Sequence, residues 1–283
     1  MFYAWIASII YGVNAITGKL TIRHRVANPW LFHFVWEFFI LIGILPIALT
    51  YHAPMPVAWG SIALAGFFAF LVGTLYILAL NQLDVSVIGP LYNFRSVFTA
   101  LLGAAFLSEV LTGGQYLLIG IIFTAGIFLN IDEHFRLKAF FRKQSMLGML
   151  AVFTSAIFGF TIKNSIAANG FWTTSLWMAL IATIFSLSTL PLFYKDLRKT
   201  PIRNYSGAII TGLLSAFGDL AANKAFSANV TISSAIISIP FSMIFAFLFS
   251  TFAPALLEKH TIRIYAVRFV AAGIMILAAI KLS

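Results

Sequence analysis

Ten stretches of apolar residues run through this 283-residue chain with only short polar breaks between them. A hydrocarbon core ~30 Å thick needs ~20 apolar residues of helix to cross it. The stretches fall at about 2–20, 30–50, 57–80, 85–107, 113–131, 145–167, 172–194, 205–226, 231–252 and 262–281. The breaks carry turn chemistry, as in Asn28-Pro29, Pro54-Met55-Pro56, Gly113-Gly114, Asn169-Gly170 and Thr200-Pro201. Charged residues make up 9% of the chain, against roughly 25% in a soluble domain, so no water-soluble fold of this length covers its surface. The reading is an all-α integral membrane protein of ten transmembrane helices. The first stretch has neither a basic leading segment nor a small-residue cleavage site after it, and reads as a retained helix.

The second half repeats the first. Gly66, Ala79 and Leu80 line up with Gly212, Ala225 and Phe226 at a constant offset. Glu109-Val110-Leu111-Thr112 faces Glu258-Lys259-His260-Thr261, Gly126 faces Gly273, and Leu45-Pro46-Ile47 stands against Leu190-Pro191-Leu192. This divides the chain into a five-helix unit at 1–131, a basic linker at 132–144 and a second five-helix unit at 145–283. A duplicated unit in so apolar a chain is the mark of a two-fold transporter, in which neither half encloses a pathway alone. Arg23 and Arg25, Arg136, Lys138, Arg142 and Lys143, Lys195, Arg198, Lys199 and Arg203, and Lys259 and Arg263 all fall in odd-numbered loops. By the positive-inside rule these loops are cytoplasmic and both termini lie outside a bacterial inner (plasma) membrane. With five helices in each, the two units then enter the membrane in opposite senses, as inverted repeats.

Several chemistries are excluded. The formal charge of +10 is spread between apolar spans, unlike the clustered footprint that grips nucleic acid. No cysteine is present, so disulfides, thiolate nucleophiles and cysteine metal sites are ruled out. Gly12-Val13-Asn14-Ala15-Ile16-Thr17-Gly18-Lys19 imitates a phosphate-binding loop, but Leu20 stands where Ser or Thr must hold magnesium, and the stretch lies within an apolar helix. Asn204-Tyr205-Ser206 and Asn229-Val230-Thr231 match glycosylation sequons, a pattern that arises often by chance. His24, His33, His52, His134 and His260 are scattered, and neither a metal nor another cofactor is expected.

Charges inside the spans need a reason, since each costs on the order of 2.5–3.5 kcal/mol at mid-bilayer. They are Lys19, Glu37, Arg95, Lys163, Asp219 and Lys224. At ~1.5 Å of rise per residue, Glu37 and Arg95 lie at depths that let them pair, and Asp219 with Lys163 forms a second candidate pair. These four are candidates for gating or coupling, and equally for static ion pairs. Lys19, Lys224 and Arg268 sit where long side chains reach headgroups. His33, Trp36 and Glu37 cluster on span 2, Asp219 and Asn223 share a face of span 8, Tyr92 precedes Arg95 by one turn, and Asn14 lies inside span 1. With Arg95 for a carboxylate and Trp36, Tyr76, Tyr92 and Trp177 for apolar matter, these residues suit a small amphipathic zwitterion. Aromatics this frequent also serve as packing and interface anchors. Pro90 and Pro240 kink corresponding helices, and small-xxx-small spacings such as Ala100/Ala104, Gly212/Ala216 and Ala221/Ala225 permit close helix approach.

Tyr11-Gly12-Val13-Asn14 with Lys19-Leu20, Asn28-Pro29, Pro90, Leu101-Leu102-Gly103, Phe106-Leu107-Ser108-Glu109, Leu111-Thr112, Gly120 and Gly126 together resemble the EamA-type branch of the drug/metabolite transporter superfamily. Where that family often carries a basic residue in span 2, this chain has Trp36-Glu37. The resemblance implies ten helices in two inverted repeats, with a cavity between helices 1–4 and 6–9 and helices 5 and 10 at the periphery. It also implies export of amino acids or similar small metabolites without ATP. The reading is a monomer or weak homodimer, with the solute and the lipid bilayer as partners, that works either by secondary active transport, with protons as a further partner coupled through Glu37 or Asp219, or by facilitated diffusion, which requires neither carboxylate. Uptake or exchange of an anionic or nucleoside-like metabolite is the alternative within transport. A polytopic enzyme acting on lipid carriers is the alternative outside it.

Overall fold

The computed structural model describes residues 2–106, 112–129, 142–253 and 261–282. The matched Glu109 and Glu258 segments and most of the 132–144 linker lie outside the described residues. The first half forms α1 (Phe2–His24), α2 (Pro29–Thr50), α3 (Trp59–Gln82), a broken pair α4 (Val85–Leu91) and α5 (Phe94–Phe106), and α6 (Gly113–Leu129). The second forms α7 (Lys143–Asn169), α8 (Phe171–Leu187), a short α9 (Tyr194–Lys199), α10 (Ser206–Ala228), a broken pair α11 (Val230–Ile237) and α12 (Phe241–Phe252), and α13 (Ile262–Leu282). Among the described residues there is no strand.

Among the described residues, seven segments are both long and apolar enough to cross a membrane. Of the ten stretches expected, those at α6 and α8 are shorter apolar helices. α1 falls outside the seven although it has 23 residues. The stretch expected to continue to residue 194 stops at Leu187. A 3-10 turn at Leu190–Leu192 follows, with Pro191 unable to donate to a continuing helix, and then α9.

The chain's apolar side chains cover the outside of the bundle as well as its core. Leu117, Val270 and Leu277 are each about two-thirds exposed, the distribution expected where hydrocarbon replaces water as solvent. Inside, α3 packs along α7 and α8, α1 along α10, and α2 along α10 and α8. α6 and α13 pack on each other and contribute nothing to the central cavity described below.

Glycines set the closest approaches. A Cβ on Gly212 of α10 would stand 2.7 Å from the Trp36 carbonyl oxygen of α2, and one on Gly66 of α3 would stand 3.2 Å from the Met178 carbonyl oxygen of α8. Gly170 joins α7 to α8 at φ 83°, a conformation that side chains rarely adopt.

Side-chain amides tie the helix ends. Asn28 caps α2, its Oδ1 accepting from the Trp30 and Leu31 amides (2.9 and 3.3 Å), while its Nδ2 donates to Asp196 Oδ2 (2.6 Å). Asn204 Nδ2 donates to the Arg25 carbonyl (3.3 Å). These bonds gather Arg23, Arg25, Lys195, Arg198, Lys199 and Arg203 at one end of the bundle. At the other end Asn169 Oδ1 accepts from the Val57 and Ala58 amides (2.9 and 2.7 Å), and Tyr51 stacks on Trp172 at 4.3 Å. The sequon residue Asn229 is likewise a cap, accepting from the Ile232 amide at the start of α11.

Two interior cations differ from their expected role of reaching headgroups. Lys19 Nζ donates to the Leu80 and Leu83 carbonyls (2.7 and 2.8 Å) at the C-terminal end of α3, where the last carbonyls lack helical partners. Arg268 is buried, donates to Ser86 Oγ and lies 3.8 Å from Asp84 Oδ2, anchoring α13 to the start of α4. Lys224 lies over the Phe171 ring at 5.3 Å, near the end of α10.

Replacing Asn28 with alanine removes an N-cap and the bond to Asp196. Denaturant unfolding in detergent should show a loss of about 1–2 kcal/mol.

Candidate functional site

The two breaks create the site. Pro90 has no N–H to donate, and at the α4–α5 turn Asn93 Nδ2 donates to the Pro90 carbonyl (3.1 Å). At the α11–α12 break Ser8 Oγ donates to the carbonyls of Ile237 and Ile239 (3.3 and 3.1 Å). Carbonyls exposed by the broken helices are thus satisfied from neighbouring side chains, as the bilayer interior requires. The breaks adjoin each other: Gly89 of α4 lies directly against Ser242 of α12, and a Cβ on Gly12 of α1 would meet Phe241 Cβ at 2.7 Å.

A cavity of about 190 Å³ opens beside them at the middle level of the bundle, with walls from α1, α2, α3, α4, α5, α7, α8, α10 and the α11–α12 break. Asn14, Trp36, Glu37, Tyr76, Tyr92, Arg95, Asp219 and Asn223 line it, with Pro240 at its edge. His33 stands behind Glu37, its Nε2 3.3 Å from Glu37 Oε1. Pro90 adjoins the lining residue Gly89 without lining the cavity itself.

Each charge has a different kind of partner. Tyr11 donates to Asp219 Oδ1 at 2.7 Å. Arg95 Nη2 donates to the Ser155 carbonyl of α7 at 2.7 Å, and the guanidinium lies over the Phe226 ring at 4.6 Å. Ser215 Oγ accepts from both Asn14 Nδ2 (2.8 Å) and Trp36 Nε1 (2.6 Å), which fixes two lining side chains at once. Trp36, Tyr76 and Tyr92 form an aromatic run with ring centroids 6.3 and 6.0 Å apart. Three buried atoms of the lining have no hydrogen-bond partner: Asn14 Oδ1, Asn223 Nδ2 and Arg95 Nε. Groups left this way cost free energy unless a solute or water meets them.

The two ion pairs expected from depth are not formed. Glu37 faces His33 where Arg95 was expected, because Arg95 extends toward α7 and the Ser155 carbonyl. Asp219 pairs with Tyr11, while Lys163 is exposed on α7. Phe158 of α7 lines the cavity, and five residues later a helix has turned about 140° further round, which points Lys163 away. Trp177 also lies outside the cavity, packing edge-on against Trp59 at 5.2 Å beside the lining residue Met178. Sequence reasoning left Tyr11, Ser155, Ser215 and Gly73 out of the site. Tyr11 was within reach of it, one helical turn before Asn14. Ser155 contributes a backbone carbonyl, which any residue carries, and so left no signal.

Gly73 is needed for close approach. A Cβ there would stand 2.6 Å from His33 Nε2 and 2.8 Å from Glu37 Oε1.

Apolar helices around a polar, charged cavity midway along their length mark an integral membrane protein. Residues 1–131 match the model of the EamA-like transporter family. That match is consistent with a membrane transporter of the EamA type in the drug/metabolite transporter superfamily. A protein of solved crystal structure shares the fold over 99% of this chain and 94% of its own, with a TM-score of 0.62 at 12% identity. No curated protein matches the chain.

Gly73→Ala should cost about 1–3 kcal/mol, because the added methyl forces the His33–Glu37 pair to move in a packed interior. Gly60→Ala, on the same helix with open space around it, should cost nothing in the same thermal unfolding assay.

Proposed function

We propose that the protein is a secondary transporter that exports amino acids or similar small organic metabolites by alternating access, without ATP. The observation that carries this reading is a single cavity in which Arg95 and the carboxylates of Glu37 and Asp219 face one space between aromatic walls. Both signs of charge suit a zwitterion, whose carboxylate accepts from Arg95 and whose ammonium donates to Asp219. A volume of about 190 Å³ lies below the ~300–1,000 Å³ of sites for drug-sized ligands, which favours one small solute.

The frame is ten spans in two inverted five-helix units, 1–131 and 145–283, joined by the basic linker at 132–144. Matched contacts support it. Gly66 meets α8 as Gly212 meets α2, and Gly12 meets Phe241 as Gly159 meets Arg95. Arg95 and Phe241 occupy the same place in the register that sets Gly66 against Gly212. The packing of α3 on α7 likewise parallels that of α1 on α10. Rocking of one unit against the other would expose the site to each side in turn.

Asn14, Trp36, Tyr76, Tyr92, Arg95, Asp219 and Asn223 are assigned to solute binding. Glu37 with His33, and Asp219, are assigned to proton coupling. Lys163 drops out of the gating set, being exposed on α7. The anionic or nucleoside-like alternative loses its support, since neither Lys19 nor Lys163 lines the cavity. A membrane enzyme acting on lipid carriers has no observation in its favour.

The reading is tested by flux of labelled amino acids in proteoliposomes, with and without a proton gradient. Arg95→Ala removes charge-assisted hydrogen bonds worth about 1.5–3 kcal/mol each, so apparent affinity should fall about 10- to 100-fold at ~1.4 kcal/mol per tenfold. Undiminished affinity in both Arg95→Ala and Asp219→Asn, or no flux of any amino acid, overturns it.

The basic end is assigned to the cytoplasm of a bacterium, with both ends of the described chain on the outer side. The chain has no cysteine of its own, so single cysteines report cleanly. Val57 and Ile202 are 88% and 84% exposed at opposite ends of the bundle. In intact cells an impermeant maleimide should label Val57→Cys and spare Ile202→Cys until the membrane is opened; the reverse pattern inverts the orientation.

A further inference from the structure

Gly73 and Asp219 hold the same place in the register that aligns Gly66 with Gly212. Asp219 brings its own carboxylate to the cavity wall. Gly73 brings none, and the space its side chain would fill is taken from α2, where Glu37 Oε1 lies 2.8 Å from the position of the missing Cβ. The cavity therefore has a carboxylate beside each of the matched positions on α3 and α10, from α2 at Gly73 and from α10 itself at Asp219, although only one of those positions is acidic.

One cation answers them. Arg95 lines the cavity, keeps a buried Nε without a partner, and has one donor committed to the Ser155 carbonyl. Lys19 is held by the end of α3 and Lys163 is exposed on α7. The lining is thus two carboxylates to one guanidinium, with the His33 imidazole behind Glu37. A solute with one carboxylate and one ammonium satisfies Arg95 and a single acid. A solute with one carboxylate and two ammonium groups satisfies all three.

We propose that the solute class of this cavity is the α,ω-diamino acids, short cationic amino acids of the ornithine and lysine type. Their carboxylate accepts from Arg95 and from Asn223 Nδ2, a second unpartnered donor of the lining. One ammonium donates to Asp219 and the other to Glu37, with Asn14 Oδ1, the unpartnered acceptor, beside them. The Trp36, Tyr76 and Tyr92 rings cover the methylene stem and favour cations at their faces. This inference rests on the amino-acid reading above and narrows it.

The test is equilibrium binding to the full chain in lipid nanodiscs, with labelled L-lysine displaced by unlabelled L-lysine, L-ornithine, L-norleucine and 1,5-diaminopentane. Labelled L-norleucine is run in parallel. Norleucine has lysine's carbon chain without its second amine, and the diamine lacks the carboxylate. Lysine or ornithine should bind at least tenfold more tightly than norleucine and than the diamine. Glu37→Gln should narrow the lysine-over-norleucine preference to about twofold, while Glu37→Asp, which keeps the charge, should retain most of it. If neither variant folds, the wild-type series decides alone. Norleucine binding as tightly as lysine overturns the inference and leaves the amino-acid reading standing. The diamine equalling lysine overturns the placement of the carboxylate on Arg95. Absence of binding by every amino acid overturns inference and reading together.

Discussion

A charge or polar group carried into hydrocarbon must find its partner inside the protein, and the interior of this bundle is organised around where each one finds it. Lys19 is held by carbonyls at the end of α3, and Arg268 by Ser86 and Asp84 at the start of α4. These contacts are structural: they hold α1 to α3 and α13 to α4 and keep both cations out of the cavity. Arg95, Glu37 and Asp219 are only part-satisfied by a carbonyl, a histidine and a tyrosine. Lys19 and Arg268 stand away from the cavity and offer a solute nothing, whereas Arg95, Glu37 and Asp219 line it.

The helices and their order were legible because the physics behind them is local. Apolar run length, flanking Asn-Pro and Asn-Gly pairs, and the two interior prolines mark where helices start, stop and break. The end of α8 was not legible, since 188–194 is as apolar as a span and only the turn at Pro191 interrupts it. Pairing inside the bundle was legible in part. Depth along a helix set Glu37 with Arg95 and Asp219 with Lys163 as two separate pairs, whereas Glu37, Arg95 and Asp219 line one cavity; depth says nothing about azimuth, and azimuth sends Lys163 outward. Arg268 looked like a headgroup contact because its partners belong to α4, a helix far away in sequence. Backbone acceptors were the main omission: the Ser155, Leu80 and Leu83 carbonyls hold two interior cations, and a carbonyl has no residue type to read.

Close helix approach and cavity formation come from the same residues. Gly12 and Gly89 let α1 and α4 meet the start of α12, which brings the two breaks together. Gly73 acts differently, since the room it leaves is taken by Glu37 and His33. A glycine that admits a helix is neutral toward charge. A glycine that admits a carboxylate decides what the cavity holds.

That difference bears on how a duplicated frame becomes selective. A perfectly two-fold site would present identical groups to both sides and could not distinguish one half of a solute from the other. Here each wall has an acid, but the acids are held unequally. Asp219 accepts a hydrogen bond from the Tyr11 phenol at 2.7 Å, and Glu37 lies 3.3 Å from the His33 imidazole. Similar frames on the two walls thus supply comparable shape, and the unlike partners of the two carboxylates supply the means to tell one end of a bound molecule from the other.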